Sequence, residues 1–242
     1  MNGLVVIGAS YAGIQAALTA RENGYAKPVT VIADEDRLPY QRPPLSKDFL
    51  LEATTEQNLM MRDHAFFRNQ RIELVLGKRA TEIDHQARRV AVNDGSSLQY
   101  DSLVIATGSR ARRIDVAGAE SEGVCYLRSL TDAIDLKARL KQATEIVVIG
   151  GGFIGLEVAS SAAKLGKNVI VVESAARILE RAVSPLVSNY LLDIHAQHGV
   201  KIILGDTATS MERKETRVAG VTLASGTRLP ADLVLVGIGG IA

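Results

Sequence analysis

The chain has 242 residues, enough for one large domain or two of ordinary size, and 47% of them are hydrophobic, enough for real cores. With 23% charged residues and a formal net charge of +1, it does not read as a general binder of polyanions such as nucleic acid. No apolar run approaches a membrane span, and a single cysteine, Cys125, excludes an internal disulfide. Apolar sequence beginning at Leu4 leaves no room for a targeting segment, so the expected compartment is the cytoplasm.

The first predicted element is a strand, Leu4-Val-Val-Ile, which runs into Gly8-Ala-Ser10-Tyr-Ala-Gly13. An apolar helix follows over residues 12–23, stopped by Gly24. A β-branched run, a tight glycine turn and a helix are the layout of a dinucleotide-binding βαβ unit, whose helix N–H groups face a pyrophosphate. Ser10 departs from the glycine fingerprint, although serine is small and its hydroxyl is itself a donor. The next apolar strand ends in acid at Asp34 or Glu35, where a ribose is expected.

Residues 38–50 read Leu-Pro-Tyr-Gln-Arg-Pro-Pro-Leu-Ser-Lys-Asp-Phe-Leu, a stiff loop because two adjacent prolines fix the backbone and remove donors. Either this loop aims Arg42 at a pyrophosphate and Lys47 at a ring system, or both side chains are simply solvated. Strands are expected at 72–76, 78–84, 89–92, 98–100 and 103–106, with an Asn93-Asp-Gly95 turn among them. A boundary near 110–117 and a helix over 131–141 come next.

The glycine pattern then returns as Ile146-Val-Val-Ile-Gly150-Gly-Gly152-Phe-Ile-Gly155, now with all three glycines. It leads into a helix over 153–165 stopped by Gly166, and a strand ending at Glu173. A helix over 185–198 opens on Ser184-Pro185. Strands follow at 201–204, 207–212, 217–223, 227–229 and 233–236. Leu76-Gly77 is echoed by Leu204-Gly205, and Asp101-Ser-Leu-Val resembles Asp232-Leu-Val. The expected fold is α/β: two Rossmann-like units in series, residues 1–112 and 113–242, each a parallel sheet with a small antiparallel meander.

Taken in order, segments 5–17, 38–50, 100–108, 126–133, 147–159 and 171–178 resemble the FAD-dependent ferredoxin, rubredoxin and putidaredoxin reductases, the oxygenase-coupled branch of the pyridine nucleotide-disulfide oxidoreductase superfamily. The Arg-Pro-Pro-Leu-Ser-Lys core between two glycine motifs discriminates far better than either motif alone. The resemblance implies FAD on the first unit through Gly8, Ser10 and Gly13, with Glu35 or Asp34 on the ribose. It puts Arg42 and Lys47 against the cofactor, Ala80 near adenine, and Ala106, Thr107, Gly108 and Arg128 towards the flavin. NAD(H) is implied on the second unit through Gly150, Gly152, Phe153, Ile154 and Gly155, with Gly237 also at the site. Glu173 would accept from the ribose hydroxyls and repel a 2′-phosphate, favouring NADH, a preference that Ser174 and Arg177 moderate.

Glu157, read alone, is a carboxylate on the first turn of its helix that complements the dipole. The resemblance instead pairs it with Lys47 as the catalytic pair beside the flavin. The implied activity carries electrons from NADH through FAD to a small iron–sulfur or rubredoxin-type carrier, with no metal site, membrane or nucleic acid involved. Cys125 reads as an inert core residue, which leaves no redox dithiol, and His195 and His198 read as a surface pair. Arg88, Arg89, Arg110, Arg112 and Arg113 either are solvated or attract an acidic carrier. A flavoprotein reducing quinone or oxygen, or a non-catalytic NAD(H)-binding module, remain alternatives, and the oligomeric state stays open. The sequence stops at Gly237-Ile-Gly-Gly-Ile-Ala242, before the second flavin-contacting Gly-Asp segment and C-terminal domain that the resemblance leads one to expect. The first unit is therefore expected to lack its closing piece.

Overall fold

The computed structural model describes residues 2–242. Its backbone divides into two compact units. One holds the chain up to residue 41 with residues 56–109 and the last residue; the other holds residues 42–55 and 110–241.

In the first unit, β1 (Gly3–Ile7) leads into α1 (Tyr11–Glu22) and β2 (Val29–Ile32). Gly24, at φ +80°, stops α1 as expected, and the Tyr25 N–H turns back to the Ala20 carbonyl at 2.9 Å. Arg21 spreads its guanidinium over four carbonyls, those of Tyr25, Lys27, Gln70 and Arg71, and so ties the end of α1 to a later loop. Two short helices unforeseen in the sequence follow: α2 (Glu56–Leu59) and α3 (His64–Asn69). α3 is too short to show a period; the Asp63 carboxylate caps it through the Phe66 N–H at 2.7 Å, and Phe67 anchors it in the core at 1% exposure.

β3 (Ile72–Val75), β4 (Ala80–Asp84), β5 (Arg89–Val92) and β6 (Ser97–Ile105) complete a six-stranded sheet in the order β3-β2-β1-β6-β5-β4. The two strands expected at 98–100 and 103–106 are one strand, β6. Its first part pairs antiparallel with β5 and its second part parallel with β1, and neither proline nor glycine interrupts it.

The second unit opens with β7 (Arg110–Ala111), β8 (Val124–Cys125) and α4 (Leu130–Gln142). Ser129 and Asp132 form a reciprocal capping box at the start of α4. Next come β9 (Glu145–Ile149), α5 (Phe153–Lys164), β10 (Asn168–Glu173) and α6 (Pro185–Gln197), the last capped by Ser184 with proline at its first position. β11 (Lys201–Leu204), β12 (Ala208–Lys214), β13 (Arg217–Leu223), β14 (Arg228–Pro230), β15 (Leu233–Val236) and β16 (Gly240–Ile241) finish the chain. A parallel sheet runs β11-β10-β9-β15-β8, while β12, β13 and β14 form a separate antiparallel sheet. Pro230 explains the contrast with β6: it carries no N–H and closes β14 before β15 begins. Asp232, just ahead of β15, accepts from the Thr144 and Glu145 N–H groups and pins the start of β9.

Residues 42–55 are not loop throughout. Pro43–Ser46 make one 3₁₀ turn with prolines at its start, where missing N–H groups cost nothing. Leu45, Phe49 and Leu50 are buried, and the Lys137 ammonium on α4 lies 4.8 Å from the Phe49 ring centre. Lys137 and Lys141 both reach the Glu52 carboxylate, at 3.5 and 2.7 Å.

Candidate functional site

The two glycine turns are built alike. The Gly8 N–H donates to Ile32 O and the Gly150 N–H to Val172 O, each at 2.8 Å, so each turn is tied to the strand beside it. Both residues sit in left-handed conformations, at φ +109° and +108°. A Cβ on Gly8 would lie 2.2 Å from Ala106 O, and one on Gly150 2.5 Å from Gly237 O, which makes Ala106 and Gly237 equivalent walls of the two turns. One turn later, a Cβ on Gly13 would meet Gly8 O at 1.9 Å and one on Gly155 would meet Gly150 O at 2.1 Å. Only glycine lets α1 and α5 start this close to their strands.

Gly152 differs from all of these, because nothing lies within 4 Å of where its Cβ would be. Packing within the chain does not require a glycine there, and the space beside the backbone is open. In the first turn Ser10 holds that place, in extended conformation, and its side chain does not cap α1. Neither α1 nor α5 carries an acid in its first turn, so their N-terminal N–H groups and dipoles are left for an anion that brings its own charge. Tyr11, Phe153 and Ile154 at these helix starts are 48%, 58% and 41% exposed, apolar surface beside each phosphate cradle. The donors and the open space at Gly152 fit a dinucleotide pyrophosphate.

The acids that follow the two strands do not occupy equivalent positions. Since Ile32 and Val172 correspond, the counterpart of Glu173 is Ala33, and Glu35 corresponds to Ala175; the Glu35 and Ala175 carbonyls accept from Gly77 and Gly205 in matching bonds. Glu173 bends back over its own glycine turn. Its Oε2 accepts from the Gly151 N–H at 2.6 Å and its Oε1 from the Ala175 N–H at 2.8 Å. Glu35 instead accepts from the Tyr40 hydroxyl at 2.6 Å, while Asp34 pairs with exposed Arg79 at 3.1 Å. Arg177, four residues beyond Glu173, is spent on the chain: it donates to the carbonyls of Val183 and Glu180 and to Ser188 Oγ.

Lys47 and Glu157 come together within the second unit, Nζ to Oε1 at 3.0 Å, with side chains 46% and 30% exposed. Glu157 is the fifth residue of α5, so it lies on the second turn, not the first. That weakens the dipole reading, which applies to the terminal turn. Ser46, missed in the sequence because it reads as one more loop serine, donates to the other oxygen of Glu157 at 2.5 Å. Arg42 donates to the Arg128 carbonyl at 2.7 Å, which fixes the entry to the 3₁₀ turn. Thr107 and Gly108 follow β6 and are exposed, with Gly108 at φ +70°, and Ala80 opens β4.

Cys125 lies in β8 at 5% exposure, and burial pushes its thiol up to about 12. Among the described residues no three potential metal ligands cluster, and no helix is long and apolar enough to cross a membrane.

A family model described as pyridine nucleotide-disulphide oxidoreductase matches residues 2–242. Among curated proteins, the chain is 42% identical over 236 residues to rhodocoxin reductase of Rhodococcus erythropolis, covering 98% of this chain and 55% of that protein. A ferredoxin reductase from Rhodopseudomonas palustris superposes with a TM-score of 0.96 at 42% identity, over 99% of this chain and 59% of that one. Putidaredoxin reductase, in a covalent complex with putidaredoxin, superposes with a TM-score of 0.94 at 37% identity, again over 99% and 59%. The chain thus spans little more than half the length of these relatives.

Proposed function

The chain belongs to the pyridine nucleotide-disulphide oxidoreductase family, and from that premise we propose that it carries the nucleotide-handling part of a reductase that takes electrons from NADH through FAD to a small iron–sulfur or rubredoxin-type carrier. The duplicated phosphate cradle carries this reading: one turn for each dinucleotide, each closed by glycines that no other residue can replace. Its setting is the cytoplasm, where NADH is supplied.

On this reading Gly8, Ser10, Gly13 and the start of α1 hold the FAD pyrophosphate, and Glu35, steadied by Tyr40, takes its ribose. Gly150, Gly152, Gly155 and the start of α5 hold the NADH pyrophosphate, with exposed Phe153 and Ile154 beside it to meet the less polar faces of the dinucleotide. Glu173 accepts from the adenosine ribose with the lone pairs that Gly151 and Ala175 leave free, and Arg177, already committed, offers nothing to a 2′-phosphate. Lys47 and Glu157 orient the nicotinamide as a charge pair. The chemistry that bound FAD supplies is acceptance of a hydride and release of its electrons singly. The chain's only thiol, buried and held protonated, is no electron relay.

Purified with FAD, the protein is expected to be yellow and to bleach anaerobically with NADH. Reduction of an added ferredoxin or rubredoxin, compared with menadione and oxygen, then identifies the acceptor class. A colourless protein that binds NADH but takes up no FAD would reject the reductase reading in favour of a plain NAD(H) module.

A further inference from the structure

One helical turn of α5 presents two side chains, Glu157 and Ser161, to a single residue of the proline segment. Ser46 donates its hydroxyl to Glu157 Oε2 at 2.5 Å, while its carbonyl accepts from Ser161 Oγ at 2.8 Å. Both serines are almost wholly buried, at 4% and 3% exposure, so these bonds do not compete with water. The Lys47–Glu157 pair they adjoin is far more open, and exposed pairs of long side chains hold no single geometry by themselves.

From this we infer that Ser46 is a positioning residue: it takes one oxygen of Glu157, leaves the other for Lys47, and is itself set in place by Ser161. This rests on the reading of Lys47 and Glu157 as the pair that orients the nicotinamide. The carboxylate has two equivalent oxygens and a flexible stem. With Oε2 engaged by a buried hydroxyl, the side chain has one remaining way to meet an ammonium from the adjacent residue. Ser161, on the same face of α5 as Glu157, fixes the backbone that carries both Ser46 and Lys47. The 3₁₀ turn then cannot slide along the helix without breaking both bonds.

The test compares Ser46→Ala, Ser161→Ala and the hydroxyl-retaining Ser46→Thr, with Glu157→Gln as the reference for a broken pair. The first readout needs no turnover: the ¹³C signal of reductively methylated Lys47, assigned through Lys47→Arg. Ser46→Ala is expected to move that signal towards its place in Glu157→Gln, Ser161→Ala to move it part of the way, and Ser46→Thr to restore it. The second readout is rapid mixing of FAD-loaded protein with NADH. Flavin reduction should slow by about tenfold in Ser46→Ala with NADH affinity unchanged, the signature of lost orientation. A Lys47 signal that stays in the wild-type position in Ser46→Ala overturns the inference, as does an unchanged reduction rate in Ser46→Ala where Glu157→Gln itself is slow. The parent reading fails separately, if Glu157→Gln reduces its flavin at the wild-type rate while the Lys47 signal still responds to Ser46.

Discussion

Replacing Glu173 tests whether its carboxylate serves the fold as well as the nucleotide. In Glu173→Ala the buried Gly151 N–H loses its acceptor, and the half-buried Ala175 N–H loses another. An orphaned buried donor costs about 1–3 kcal/mol, with the half-buried one adding a smaller amount. At roughly 2–4 °C per kcal/mol for a chain of this size, the melting temperature should fall by about 3–10 °C without any nucleotide present. Glu173→Gln keeps one acceptor oxygen and should recover part of that loss. NADH binding, followed by calorimetry, should weaken by about tenfold or more in Glu173→Ala, the worth of a charge-assisted ribose contact. NADPH should gain little, because Arg177 remains tied to Val183, Glu180 and Ser188. A Glu173→Ala protein that melts with wild type and binds NADPH as tightly as wild type binds NADH would refute the reasoning on both counts.

The glycines separate packing from ligand approach. Gly155→Ala puts a methyl about 1 Å inside contact distance of Gly150 O and should lower stability by roughly 1–3 kcal/mol, read by denaturant melts. Gly152→Ala meets open space, so it should melt like wild type yet bind NADH poorly; equal affinity would mean that no backbone approaches there. Cys125, raised to about 12 and buried, should ignore a thiol reagent at pH 8 in the native protein and react fully after denaturation. Its reactivity should climb with pH as the thiolate forms, and prompt native labelling at pH 8 would contradict its assigned environment.

The glycine turns, the strands beside them and the caps at Gly24, Gly166 and Ser184 were all readable, because each depends on a local need: a left-handed φ, a missing Cβ or a hydroxyl at a helix start. The short helices α2 and α3 were not, since segments of four and six residues cannot display a period. Merging of two expected strands into β6 depended on one chain position pairing first with β5 and then with β1, which no local pattern records. At the site, the Lys47–Glu157 pair was reached through resemblance; residues 110 apart carry no mutual signal by spacing. Ser46 was hidden because it reads as one more loop serine, and the correspondence of Glu173 with Ala33 shows only in the backbone bonds of the two glycine turns.

The assignment of residues 42–55 to the second unit means that the polypeptide passes from one unit to the other after residue 41, back after 55, and over again after 109, with only the last residue returning to the first. No single cut can therefore yield two self-sufficient halves. A protease nick after residue 109 would leave an N-terminal fragment still carrying Ser46, Lys47, Phe49 and Glu52, whose partners Glu157, Ser161, Lys137 and Lys141 lie in the other fragment. The pieces would stay clasped until that peptide is pulled free. Gene dissection at the apparent midpoint of the duplication would yield two proteins, each missing something the other holds.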